Sequence, residues 1–254
     1  MSFIPNLYVL NKYGSVGFNP RITAFRGAGL YQGISAPYND SFSTNPLYND
    51  FGTKAEIESV AKSNPKIMSL LKQYNLPLKL NMEELEALKA GHLKDARITS
   101  AKIYSALPEN MKGQVNLADL QQAAILHDYG KVLIPREILN KNGSLSPREK
   151  EIMDLHPIFS YELLKHKGIK PDILNLIKYH HQNLKGTGYP AIENDFKYDI
   201  ASQILTASDK YSALTEKRAY HEPLPKEKAL EIIREDVNSE NLSQEVFDAL
   251  KKSV

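Results

Sequence analysis

The 254-residue chain contains no cysteine. That excludes disulfides, thiolate metal ligands, iron–sulfur clusters and cysteine nucleophiles together, so any bound metal must rest on His, Asp or Glu. An excess of charge of one sign is also missing. The 32 Lys and Arg residues are nearly balanced by 30 Asp and Glu, which gives no electrostatic footprint for a nucleic-acid polymer. A charged small ligand needs only local charge and remains open. No stretch reaches the roughly 18 to 20 apolar residues that span a bilayer. Residues 1–10 lack the basic segment, apolar core and small-residue cleavage site of a secretory signal. The expectation is a cytoplasmic protein without a membrane partner. Strand-like alternation is nearly absent as well, and the expected fold class is all-α.

Residues 1–52 are rich in Asn, Ser, Gly, Pro and Tyr and have no useful periodicity, so this segment is expected to be a poorly structured, flexible extension. At Thr53-Lys-Ala-Glu56 the character changes to a capping box, followed by Ile57, Val60 and Ala61 on one helical face. Asn64-Pro65 restarts the chain, and Ile67, Leu70, Leu71 and Tyr74 form a second stripe that Leu76-Pro77 breaks. Residues 53–80 therefore read as two short accessory helices. From residue 81 to residue 254 the spacing predicts a helical bundle, with helices at 82–107, 116–126, 147–164, 171–181, 200–215, 226–235 and 244–251. Gly91, Gly130, Gly143, Gly168 and the stretch 186–190 mark interruptions.

Histidines stand at positions 92, 127, 156, 166, 180, 181 and 221. His127-Asp128 closes an apolar helix that carries Leu120, Ala123, Ala124 and Leu126. His180-His181 closes another, and His156, just before Pro157, marks a junction between two more. Asp209 lies on an otherwise apolar or small helix face, where a carboxylate is costly to bury without a partner. Each alone has an ordinary structural reading; His166 in Lys165-His-Lys167 is a cation near a helix end. Taken jointly, helix-end imidazoles and carboxylates in a cysteine-free domain form a donor set for Zn, Mn, Fe or Ni, and do not select among them.

The sequence then becomes specific. His127-Asp-Tyr-Gly-Lys131, Ile134-Pro135, Ile138-Leu-Asn-Lys141, Leu145-Ser-Pro147, Ile152-Met153 and His156-Pro157 resemble the first half of the HD-GYP subfamily of HD phosphohydrolases. His180-His181, Gly186-Thr-Gly-Tyr-Pro190, Ile204-Leu205, Asp209, Ala213-Leu-Thr215 and Arg218-Ala-Tyr220 resemble its second half, in order and in register. The resemblance implies an HD-type helical bundle and a phosphodiesterase that hydrolyses a cyclic dinucleotide, cyclic di-GMP, to pGpG or GMP. It implies two divalent transition-metal ions held by His92, His127, Asp128, His156, His180, His181 and Asp209, with Asp128 bridging. Lys131 and Arg218 are expected to hold the substrate phosphate, and Tyr189 to border the substrate; Asp128 and Lys131 are the catalytic candidates.

The chain also departs from the subfamily pattern. Leu88 stands where some members carry a glutamate for a third metal, so two ions are expected. Gln182 and Lys185 replace residues that are commonly acidic in the loop after the histidines, and Ser212 stands where Asp is frequent. The altered loop keeps two alternatives open. One is an HD phosphohydrolase acting on another nucleotide or phosphoester, and the other is a catalytically weak ligand-binding or signalling module.

Overall fold

The computed structural model describes residues 52–216 and 222–254. The expected flexible extension, up to residue 51, lies outside the described residues, as do Arg218 and His221. The described elements are all helical, and the one β-bridge, between His181 and Tyr189, is isolated. None of these helices is long and apolar enough to cross a membrane.

The first helix, α1 (Lys54–Ser63), starts as its sequence dictates. Thr53 Oγ1 accepts from the Glu56 N–H, and the Glu56 carboxylate accepts from the Thr53 N–H at 2.6 Å. Asn64 then ends α1 and caps α2 (Pro65–Gln73), accepting from the Lys66 and Ile67 N–H groups. Its amide donates to the Glu162 carboxylate at 2.8 Å, which ties this helix pair to α9 (His156–Leu164).

The periodicity at 82–107 is split in two by Gly91, giving α3 (Met82–Ala90) and α4 (His92–Ala106). The break places His92 in the first turn of α4 and buries it. Helix α4 runs through the middle of the bundle. It packs against α6 (Leu117–Leu126), α11 (Ile200–Thr215) and α13 (Gln244–Ser253), burying Leu93, Ala96 and Ile103. A short α5 (Glu109–Lys112) lies between α4 and α6, and α7 (Arg136–Leu139) follows further on.

The stretch at 147–164 is likewise divided, into α8 (Pro147–Met153) and α9, with Pro157 in the first turn of α9 where its missing N–H does no harm. Helix α10 (Pro171–Lys178) stops three residues short of the expected end, so His180 and His181 stand in the turn beyond it. Helix α12 (Lys226–Asn238) packs on α11 and α13. A 3-10 turn at Tyr129–Leu133 is buried throughout. It escapes a periodicity search because five residues are too few to show a repeat.

Candidate metal centre

Three histidines follow closely on the C-terminal ends of helices, and each is held in the same way. His127 Nδ1–H donates to the Ala124 carbonyl at 2.9 Å, His156 to Met153 at 2.7 Å and His180 to Ile177 at 2.7 Å. The acceptors are last-turn carbonyls of α6, α8 and α10, which have no partner within the helix. A carbonyl can only accept, so each Nδ1 carries the proton and each Nε2 presents a lone pair to the interior.

Those lone pairs converge. His156 Nε2 lies 3.3 Å from His180 Nε2 and 3.1 Å from His181 Nε2. On the other side, His127 Nε2 lies 3.3 Å from His92 Nε2. With His156 and His180 both protonated at Nδ1, their facing Nε2 atoms cannot hydrogen bond as neutral rings; only a cation or a proton between them makes the approach favourable. The side chains form two groups, His156 with His180 and His181, and His92 with His127, Asp128 and Asp209.

Asp128 joins the groups. Its Oδ2 faces His92 at 3.3 Å and His127 at 3.5 Å, while its Oδ1 faces His156 at 3.2 Å and His180 at 3.8 Å. Asp128 is 1% exposed, and Oδ1 has no hydrogen-bond partner. A buried carboxylate oxygen left so, aimed at imidazole lone pairs, fits a bound cation and fits little else. Asp209 Oδ1 completes the first group, 2.9 Å from His92 Nε2 and 3.5 Å from His127 Nε2.

The electrostatics favour the metal-binding protonation states at the carboxylates, His180 and His181, whereas at His92 the lowering by burial is outweighed by Asp128 and Asp209, which raise it above its ordinary value. Burial pushes Asp128 upward, but Lys131, His127, His156 and His92 outweigh it and hold the carboxyl well below its ordinary range. Burial is likewise outweighed at Asp209, by His127 and His92. Burial and the neighbouring imidazoles keep His180 well below its ordinary value, and burial with His156 lowers His181 to about 3. At neutral pH the two carboxylates are charged and His180 and His181 are neutral, as coordination requires.

The turn that carries Asp128 is braced by Ser160, on α9. Its hydroxyl donates to the His127 carbonyl and accepts from the Gly130 N–H, both at 2.7 Å. Gly130 must be glycine: a Cβ there would lie 2.2 Å from the His156 carbonyl oxygen and 2.4 Å from the Ser160 nitrogen, both backbone atoms. Thr206 on α11 similarly donates to the His180 carbonyl at 2.7 Å. Neither hydroxyl stood out in the sequence, although Ser160 lies one helical turn beyond His156.

Lys131, taken above as a phosphate ligand, is buried with Nζ 2.5 Å from Asp128 Oδ2. Tyr189 reaches the site by stacking on His181, with centroids 4.6 Å apart and planes 25° from parallel. Its loop is fastened by Gln182, whose side chain is buried, accepts from the Gly188 N–H at 3.1 Å and donates to the Pro190 carbonyl. The departure from an acidic residue thus has a structural use, since a carboxylate cannot donate. Lys185 points away, to Glu240 at 3.4 Å.

The stretch at 69–246 matches the HD domain family. The chain is a member of the HD domain family. Its His-Asp, His-His and Gly-Tyr-Pro motifs place this HD domain in the HD-GYP subfamily. It is 33% identical over 135 residues to a 3'3'-cGAMP-specific phosphodiesterase 3 of Vibrio cholerae, covering 53% of this chain and 29% of that protein. It is 34% identical over 143 residues to a cyclic di-GMP phosphodiesterase of Thermotoga maritima, covering 55% of this chain and 38% of that one. The chain thus spans well under half the length of these curated relatives. The solved structure of Bd1817, described as an HDG"Y"P protein from Bdellovibrio bacteriovorus, shares the HD fold with a TM-score of 0.50 at 19% identity. That likeness covers 82% of this chain and 66% of Bd1817.

Proposed function

We propose that this HD domain is a metal-dependent phosphodiesterase that hydrolyses a cyclic dinucleotide in the cytoplasm. Cyclic di-GMP, cleaved to pGpG or GMP, is the leading substrate. The observation that carries the reading is Asp128, buried and ionised, with one oxygen toward each group of imidazoles. On this reading His92, His127, Asp128 and Asp209 hold one divalent transition-metal ion, and His156, His180, His181 and Asp128 hold the second. Bound there, two such ions supply an acidified water near neutral pH and neutralise charge on the phosphodiester.

The residues of the chain do the rest. The helix-end carbonyls fix the tautomer and direction of His127, His156 and His180, so the ligands need little reorganisation. Lys131 places a cation beside Asp128, where a phosphoryl oxygen would approach, and acts as a point charge that moderates the carboxylate. Tyr189, held flat on His181, offers an aromatic surface to a base or sugar. Arg218 supplies a forked donor to the phosphate. The similarity to phosphodiesterases named for cyclic di-GMP and for 3'3'-cGAMP supports a cyclic dinucleotide and calls for both in the test.

The decisive experiment combines metal analysis of the purified chain with product analysis on a panel of cyclic dinucleotides, cyclic di-GMP and 3'3'-cGAMP included. About two transition-metal ions per chain and a linear dinucleotide or mononucleotide product are expected. A folded chain that takes up no metal refutes the reading. A metal-loaded chain that leaves the whole panel intact refutes the substrate assignment alone.

A further inference from the structure

His92 is held differently from its companions. His127, His156 and His180 donate Nδ1–H to a carbonyl at the end of the preceding helix, but His92 opens α4, directly after Gly91. Its Nε2 is turned inward, 2.9 Å from Asp209 Oδ1. Its Nδ1 is turned outward, and there it meets a carboxylate: Glu216 Oε2 lies 3.8 Å away. Glu216 is the residue just beyond the end of α11, the helix that carries Asp209.

Glycine at residue 91 leaves this carboxylate the position it occupies. A Cβ on Gly91 would stand 2.1 Å from Glu216 Oε1 and 3.3 Å from its Cδ, whereas the next nearest atom, the Ala87 carbonyl oxygen, lies at 3.6 Å. Gly91 has φ of −116°, so a positive φ does not explain the glycine. The carboxylate also lies at the N-terminal end of α4, where the N-cap residue is Gly91 and supplies no side-chain cap and negative charge is favourable.

We propose that Glu216 is the positioning residue for His92. From 3.8 Å, an ion-pair rather than a hydrogen-bond distance, its carboxylate favours the proton at Nδ1, the role a helix-end carbonyl has elsewhere in the site, leaves the Nε2 lone pair for the ion shared with His127, Asp128 and Asp209, and raises the basicity of that ligand. Gly91 is the space that admits it. This rests on the metal-binding reading above and adds a residue that the subfamily motifs do not contain.

The test uses the full chain, stripped with a chelator and titrated with Mn2+. Glu216→Ala is expected to weaken one of the two Mn2+ sites by about 10- to 100-fold, with the unfolding temperature of the stripped protein lowered by at most about 2–4 °C through the lost charge at the helix end. Glu216→Gln, whose amide oxygen still favours the proton at Nδ1, recovers part of that affinity. Gly91→Ala provides an independent route, because its methyl group displaces the carboxylate. It should weaken the same site in the native background and add no further loss in the Glu216→Ala background, a coupling that a double-mutant cycle reads directly.

Unchanged Mn2+ affinity in Glu216→Ala overturns the proposal. So does a lowered unfolding temperature of the stripped protein with affinity intact, which would make Glu216 a helix cap only. Additive losses in the cycle overturn the role of Gly91. A native chain that binds no Mn2+ defeats the metal-binding reading itself, an outcome distinct from all of these.

Discussion

Replacing Ser160 with alanine removes a single oxygen atom, and the structure sets what that oxygen is worth. It donates to the His127 carbonyl and accepts from the Gly130 N–H, both at 2.7 Å, at a position with 0% exposure. Alanine leaves two buried backbone groups without partners, each costing about 1–3 kcal/mol, so the loss lies within about 2–6 kcal/mol, and is about 3 kcal/mol if each group costs about 1.5 kcal/mol. For a unit of this size 1 kcal/mol corresponds to about 2–4 °C, and the unfolding midpoint should fall by about 6–12 °C. Because the freed backbone carries His127 and Asp128, Mn2+ affinity should fall as well. Ser105→Ala, at an exposed position, is the control for loss of a hydroxyl as such. That hydroxyl donates only to the Ala101 carbonyl within α4, and its removal should stay within about 0.5 kcal/mol. Differential scanning calorimetry on both variants decides the matter. A Ser160→Ala midpoint indistinguishable from that of Ser105→Ala refutes the brace.

The other expectations are quickly stated. Asp128→Ala removes the carboxylate that faces both imidazole groups; metal content by mass spectrometry should fall for both ions and phosphodiesterase activity should vanish, and retention of both ions would contradict the bridging role. Gln182→Glu restores the acidic residue usual in the subfamily but buries a charge and loses the donation to Pro190. A destabilisation of about 1–3 kcal/mol by urea titration is expected, and equal or greater stability would show that the amide is not the fastener. His181 is held at about 3 and His180 well below its ordinary value, whereas the unfolded residues titrate near ~6.5. Through that window the unfolded state of the stripped protein binds more protons, so stability should fall as pH drops from about 6.5 towards 3. His181→Gln should flatten the slope, and a pH-independent midpoint in the native chain would contradict the burial of these rings.

The helices were legible where side chains repeat or cap. Thr53 and Glu56 form the capping box that their spacing predicts, and the expected bounds at 200–215 match α11. Gly91, read as an interruption in the apolar pattern of 82–107, is where the chain breaks and α4 restarts at His92. Legibility failed at the end of α10, which stops at Lys178 although the apolar pattern continues to the histidine pair. The structure brings all seven ligand candidates together, because helix-end His-Asp and His-His pairs leave a sequence trace. The groups that hold those ligands leave none. Ser160, Thr206 and the last-turn carbonyls act through hydroxyl and backbone atoms, and any serine or helix end carries the same atoms. Glu216 was missed for a related reason: it comes near His92 only through the packing of α11 on α4.

The bonds from imidazole Nδ1–H to last-turn carbonyls have a consequence for folding as well. At His127, His156 and His180 one side chain both terminates a helix and offers a donor atom to the interior. These histidines therefore have a structural use that does not depend on chemistry. The carboxylates differ. Asp128 Oδ1 caps nothing and has no hydrogen-bond partner among the described residues, so its burial is costly unless an ion is bound. In this architecture the aspartates, rather than the more conspicuous histidines, are the residues whose burial calls for an ion.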